Sequence, residues 1–342
     1  MIRPRTFYYR GNTALPGHYR FIENLKMIEM KKVLIFFALF SVTFMGLAQN
    51  NDRFTSLFNG RDLVGWNMPG KVPGFEVVDG ILVASPRNGS ELFTEEQYGN
   101  FVFKFEYLLS EVGNSGVLIR CNPENPWGTG VEVQLLAPWT PYRDDLHCTG
   151  SIYGYVAVNN RPDETTGIWH EMEIKCDRKR ITISVDGAVT TTADIDTVKS
   201  MQGKNLTGFI GFQSNHSKEG EYAHFRNISI LDLDNDPEYV KKGFYSEDPE
   251  IRKQAMEVSV FKGSSMVKVL IQMMDEDNTM AQAGAKQALF DIVAGISAPN
   301  AIGKERVVVA KMLKEQSMDS TSEITAEYLK WLLEMLNRTI TG

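Results

Sequence analysis

In the run Phe101-Val102-Phe103-Lys104-Phe105-Glu106-Tyr107, every second position is a large aromatic. A period of two sends alternate side chains to opposite faces of an extended strand, so this segment can bury its rings only as one face of a sheet. The same period returns in Val131–Leu135, Met172–Cys176 and Ile181–Val185. Turn signals separate the runs: Asp79-Gly80, Asn88-Gly89, Gly113-Asn114, Asp186-Gly187 and Gly203-Lys204-Asn205. Asp-Gly between two alternating runs favours a tight hairpin. Many short strands at this spacing predict a sandwich or jelly roll over residues 53–233.

After Asp232–Pro237 the period changes. The acidic cluster with Pro237 reads as a linker over 234–247, and residues 248–338 read as helices. Ile251, Ala255, Val258 and Val260 are expected on one apolar helix face, and Val267, Leu270, Ile271 and Met274 on another. Asp248-Pro249 and Asp275–Asn278 are helix-start signals. Helix pairs of this size are compatible with a short HEAT-like array or with a bundle packed on the sandwich. The chain of 342 residues has room for both regions.

Met30-Lys31-Lys32, the apolar run from Val33 to about Met45, and Gly46-Leu47-Ala48 follow the basic, apolar, small order of a secretory signal over 30–48. The apolar run is short for a membrane-spanning helix, which favours cleavage over retention as an anchor. No Cys stands at the cleavage point, so a lipid anchor there is not expected. Residues 1–29 precede this signal and are left unassigned. The chain is thus expected to be exported, to the periplasm or cell envelope. A net charge of −7 gives no basic footprint for nucleic acid. The three cysteines, Cys121, Cys148 and Cys176, match no zinc spacing and allow at most one disulfide within the chain.

A series of motifs carries a resemblance. It begins with Phe54-Thr55-Ser56-Leu57-Phe58-Asn59-Gly60 and Leu63-Val64-Gly65-Trp66, then Phe75–Leu82 and Leu92–Phe101. It continues through Gly113-Asn114-Ser115-Gly116-Val117-Leu118-Ile119-Arg120, Val131-Glu132-Val133-Gln134-Leu135-Leu136 and Thr149-Gly150-Ser151-Ile152-Tyr153, and ends with Gly208–Gln213 and Phe225–Ile228. In number and order these resemble the 3-keto-disaccharide hydrolase family, also described as a 3-keto-α-glucoside 1,2-lyase/3-keto-2-hydroxy-glucal hydratase domain. The resemblance implies a concanavalin A-like lectin/glucanase jelly roll that cleaves 3-keto-glycosides in the cell envelope. Sandwiches of this kind also serve as plain lectins, so a non-catalytic sugar-binding module with a helical protein-interaction domain is the alternative.

Cleavage beside a ketone needs a base for the C2 proton, donors for the enolate oxygen, and partners for the hydroxyls. Alternation places Glu132 and Gln134 opposite the Val131, Val133 and Leu135 set, and Arg120 opposite Ile119 and Cys121. Gln213 stands opposite Phe212 in its run. With strand order borrowed from the family, Arg120, Glu132, Gln134 and Gln213 share an open face, with Asn114 and Tyr153 at strand edges. Glu132 is expected as base or metal ligand and Arg120 as the group on the keto oxygen. A solvated Glu132–Arg120 cross-strand pair is the plain alternative. His147, beside a long loop, is a further acid–base candidate. His170 and His216 are candidates for contacting substrate; the family often has Asn at the first position and Gln-Asp-His-Gly near the second, from which His216 is displaced by one. Trp127, Trp139 and Tyr142 suit either stacking on a sugar ring or stapling a loop to the core. Glu132, Asp144, Asp145 and His147 offer donors for a divalent metal, though no spacing signature identifies one.

Overall fold

The computed structural model describes residues 53–84, 89–139, 143–214, 220–298 and 303–338. The leader, the export segment, Tyr142 and His216 lie outside them. From Thr55 onward the chain is one compact unit.

The strands are β1 (Thr55–Ser56), β2 (Trp66–Asn67), β3 (Phe75–Val78), β4 (Ile81–Ala84), β5 (Leu92–Thr94), β6 (Phe101–Leu109), β7 (Asn114–Cys121), β8 (Val131–Leu136), β9 (His170–Asp177), β10 (Arg180–Val185), β11 (Ala188–Asp194), β12 (Phe209–Phe212) and β13 (Ala223–Asp232). They form two antiparallel sheets. One runs β11-β10-β9-β6-β13-β4-β3 with β1 added on β13, and the other runs β2-β5-β12-β7-β8. This is the expected mainly β sandwich.

Alternation explains its core. Phe101, Phe103, Phe105 and Tyr107 of β6 all point inward, as do Val117 and Ile119 of β7 and Val131, Val133 and Leu135 of β8. Phe212 sits at the centre, with ring centroids of Phe225 at 4.3 Å, Phe105 at 5.3 Å, Trp66 at 5.8 Å and Phe103 at 6.0 Å. Edge-to-face and tilted ring pairs of this kind add to the area they bury. Asp186 and Gly187, both at positive φ, close the β10–β11 hairpin as the sequence predicts. The edge of β8 does not end the sheet in open solvent. Gln134 N donates to Ser151 O, Gly150 N to Gln134 O and Tyr153 N to Glu132 O, so residues 150–153 run beside it. The three cysteines are buried and unbridged.

A short helix, α1 (Pro126–Thr129), lies between β7 and β8. After the sandwich come α2 (Pro237–Phe244), α3 (Pro249–Lys262), α4 (Ser264–Met273), α5 (Thr279–Ser297), α6 (Gly303–Asp319) and α7 (Glu323–Arg338). Asp248 and Asn278 cap α3 and α5 through side-chain acceptors. Val267, Leu270, Ile271 and Met274 join a second apolar core with Phe244, Leu289, Leu313 and Leu332. Ala255 and Val258 are buried too, but Val260 falls on the exposed flank of α3. The expected linker is a correction. Residues 233–235 form a 3₁₀ turn and α2 follows directly, because Asp236 caps it and Pro237 starts it. Asp234, expected in that linker, is buried and accepts hydrogen bonds from Asn100 N and Nδ2.

The helices are tied to the sandwich through polar contacts. Tyr239 Oη donates to Asp177 Oδ1 at 2.7 Å, Lys179 pairs with Asp248 at 2.6 Å, and Lys262 pairs with Asp232 at 2.8 Å. Removing the Tyr239 hydroxyl by Tyr239→Phe is expected to lower unfolding stability by about 1 kcal/mol. The Tyr239→Phe/Asp177→Asn double variant should lose less than the sum of its singles. Urea titration of the three variants measures both; full additivity would mean the contact contributes nothing.

Candidate functional site

The outer face of the β2-β5-β12-β7-β8 sheet carries the candidate residues. In β8, inward Val131, Val133 and Leu135 turn Glu132 and Gln134 outward. In β12, inward Phe212 turns the next residue, Gln213, to the same side. Its N–H donates to Gly116 O at 2.9 Å, and Gly116 pairs with Gln134. The sheet therefore presents Gln213, Gly116 and Gln134 in one cross-strand row, with Asn114 at the end of β7.

Glu132 is the buried charge of this face, only 5% exposed. Its carboxylate occupies the space that a side chain at Gly116 would fill: a Cβ there would lie 2.2 Å from Glu132 Oε1. The Trp127 indole N–H, on α1, donates to Glu132 Oε2 at 2.7 Å. Asn125 caps α1 by accepting from Gly128 N, and Lys204 Nζ donates to the Trp127 and Gly128 carbonyls, which hold the indole in place. The Gln134 amide lies 3.1 Å from Ser115 O, which can only accept, so the amide nitrogen faces that carbonyl and also reaches Glu132 Oε1 at 3.2 Å. Burial pushes the Glu132 carboxyl up to about 7; the Trp127 hydrogen bond works against this and the nearby Glu91 charge adds to it. A carboxyl poised there exchanges protons near neutral pH.

Tyr153, exposed at the rim, donates its backbone N–H to Glu132 O, and its ring meets the His147 ring edge-to-face at 4.9 Å. His147 Nδ1 is 2.7 Å from Asp144 Oδ1. Trp139 follows β8 and is half-exposed. Asp145 is engaged by Arg161 at 2.8 Å. Among the described residues, no three His, Cys, Asp or Glu side chains converge as a metal-ligand set.

Two expected members stand elsewhere. Arg120 does not share the face with Glu132. Phe209 pairs with Cys121 and Gly211 with Leu118, so β7 carries one extra residue at this point, and Arg120 adopts φ +53°. The bulge puts Cys121 outward with Phe93 and Leu118, and turns Arg120 to the end of the sandwich. There Nε and Nη2 donate to Gly99 O and Nη1 to Arg178 O. His170 lies on β9 of the other sheet, stacked on Tyr107 and held by Asp186 Oδ2 at 2.7 Å and Thr165 O at 2.8 Å. Burial opposes its protonation, but the Asp186 carboxylate and the Thr165 carbonyl outweigh this and raise its pKa. It positions a hairpin and does not face Glu132.

Two residues of the site were not singled out from the sequence. Gly116 reads there as part of a motif, and only the strand pairing shows that it makes room for a carboxylate. Glu91 is one residue before Leu92, whose inward position implies an outward Glu91 by simple alternation. A separate cavity of about 290 Å³, bounded by Glu95, Asp232, Asp234, Phe261 and Lys262, lies between the sandwich and α3; Glu132 is not among its walls.

The chain matches the 3-keto-alpha-glucoside-1,2-lyase-like domain over residues 53–231. It belongs to that family. Among solved structures, a predicted glycosyl hydrolase from Parabacteroides distasonis is 25% identical, with 54% of this chain and 96% of that chain covered and a TM-score of 0.47. A carbohydrate-binding module, CBM66, from Bacillus subtilis is 13% identical over 49% of this chain and 95% of its own, at a TM-score of 0.34. A β-glucanase from Bacillus licheniformis is 15% identical over 52% and 95%, at 0.36. No curated protein matches the chain.

Two outcomes follow from the geometry. Because the folded-state pKa of Glu132 is raised, the parent protein loses stability as pH climbs from 4.5 to about 7. Glu132→Gln should therefore gain about 3 kcal/mol relative to the parent above pH 7, with the gap closing toward pH 4.5; denaturation across that range measures it. Arg120→Met should lose about 3 kcal/mol of stability, since charged hydrogen bonds to buried carbonyls are removed. It should leave the pH dependence of stability that Glu132 sets between pH 4.5 and about 7 unchanged, read by the same denaturation series.

Proposed function

We propose that this chain is an exported carbohydrate-active enzyme that cleaves 3-keto-glycosides, with Glu132 as the base. The observation that carries the reading is a carboxylate poised near neutrality, recessed among amides on the open face of a sandwich that belongs to the 3-keto-glycoside lyase-like family. A ketone at C3 acidifies the hydrogen on C2. Glu132 takes that proton, the C–H electron pair forms the enolate, and collapse of the enolate expels the C1 substituent to leave a C1–C2 double bond. Water adding across that bond completes hydration and, in sum, hydrolysis. The enolate oxygen needs donors aimed at it before the reaction. Gln134 spends its two N–H groups on Ser115 O and Glu132 Oε1, so the amides of Asn114 and Gln213 on this face take the role first expected of Arg120. Trp127 and Tyr153 at the rim provide apolar surface for a sugar ring, and His147 stands beside Tyr153 as a proton carrier for the hydration step. The concanavalin A-like reading of the sandwich and the Met30–Ala48 export segment agree with a substrate met in the periplasm or envelope. The helices offer a surface for an envelope protein.

Incubation with a 3-keto-glucoside and its unoxidised counterpart, each with and without chelator, tests the reaction, the oxidation state and metal dependence together. Turnover is expected only of the oxidised sugar, and kcat/KM should rise through about pH 7 and then level as Glu132 ionises. Glu132→Gln should lower kcat about 10³-fold. Binding without any product would instead leave a lectin-like module, and full activity of Glu132→Gln would remove Glu132 as base.

A further inference from the structure

The turn Gly203-Lys204-Asn205, which precedes β12, meets the site through α1. Lys204 Nζ donates to Trp127 O and to Gly128 O, and Asn205 N donates to Thr129 O at 2.8 Å. The same ammonium stands 5.1 Å from the centre of the Tyr155 ring, within cation–π range. Tyr155 packs against the sandwich core and belongs to a tight turn closed by mutual hydrogen bonds of Ile152 and Val156. That turn continues the segment that runs beside β8, where Tyr153 N donates to Glu132 O. Two segments therefore grip Glu132, α1 at its carboxylate and residues 150–156 at its backbone, and Lys204 joins one to the other.

The helix α1 needs such a tie. It is a single turn of four residues, closed by Gly130 N on Pro126 O and by the Asn125 side chain. A helix of that length does not hold itself in water. Its last carbonyls lack intrahelical donors, and a lysine that donates to them supplies the lack. The Trp127 side chain is 44% exposed, so burial does not fix its direction. The backbone of α1 fixes it at one end and Glu132 Oε2 receives it at the other.

Resting on the proposed reading, we infer that Lys204 is a positioning residue for the base: it clasps α1 to the 152–156 turn and so keeps the Trp127 indole N–H on Glu132 Oε2. Without the clasp the indole bond loosens, and the buried carboxylate is left with the Gln134 amide as its donor. A carboxylate stripped of donors holds its proton more tightly, and a base that holds its proton cannot take one from C2. The charge that bears on Glu132 is that of Glu91, which every variant below retains.

The test follows the Trp127 indole ¹H–¹⁵N signal and the pH profile of kcat/KM on a 3-keto-glucoside. The chain has five tryptophans, so the signal is assigned by its loss in Trp127→Phe. In the parent it should titrate with Glu132, at a midpoint of about 7. In Lys204→Met it should lose at least about half of that movement, and the rising limb of kcat/KM should move up by about one pH unit, the size of a hydrogen bond to a charged group. Lys204→Arg, which keeps the charge and the donors, should stay near the parent in both. Trp127→Phe should raise the limb by itself, and adding Lys204→Met to it should raise the limb no further. An indole signal in Lys204→Met that titrates as in the parent overturns the clasp. So does an equal rise of the limb in both backgrounds, which would mean that Lys204 acts on Glu132 by charge and not through Trp127. A parent inert on 3-keto-glucosides whose indole signal behaves as expected overturns the proposed reaction and upholds the clasp.

Discussion

Phe212 is the pin on which the open face depends. Its ring sits among Trp66, Phe103, Phe105 and Phe225, which come from strands of both sheets. With Phe212 inward, Gln213 must be outward, and the pairing of β12 with β5 and β7 is fixed on either side. A slip of one residue would send every polar side chain of the groove into the core and every core residue into water. The open face is thus registered by aromatic packing buried beneath it.

Neighbouring strands bury two charged groups by different means, and the difference separates structure from chemistry. Arg120 is desolvated but spends three of its five N–H donors on backbone carbonyls that can only accept, and a guanidinium keeps its proton. Glu132 is desolvated with one indole N–H and one amide, short of the several donors that would hold a carboxylate firmly ionised. The guanidinium is structural because it holds its proton in any environment; the carboxylate, short of donors, trades one near neutrality. Gly116 makes the second state spatially feasible, because the carboxylate fills the volume where a neighbouring side chain would otherwise stand.

Much of this was legible in the residues. Alternation in Val131–Leu136 put Glu132 and Gln134 on one face, and Phe212 did the same for Gln213. The rule failed at Arg120 because it counts residues, and a bulge inserts one without any mark beyond an arginine at positive φ. His170 was misplaced for another reason: period two gives a face within a sheet, and nothing in Trp169-His170 says which sheet that is. The linker reading of 234–247 failed because an acidic, proline-bearing stretch suits a helix start as well as a spacer. Trp127 was recognised as an aromatic on a loop, but its role came from its N–H, which only the fold aims at Glu132.

The strand that bears Glu132 would be the sheet's edge were it not for residues 150–153, which take up its outward hydrogen bonds. An open edge invites strand addition by another copy of the chain. Here the polar groove is offered to solvent while the adjacent backbone is already occupied. Access for a small ligand is thereby uncoupled from access for another polypeptide. The protein can keep its groove open at high concentration without leaving β8 as a template for self-association.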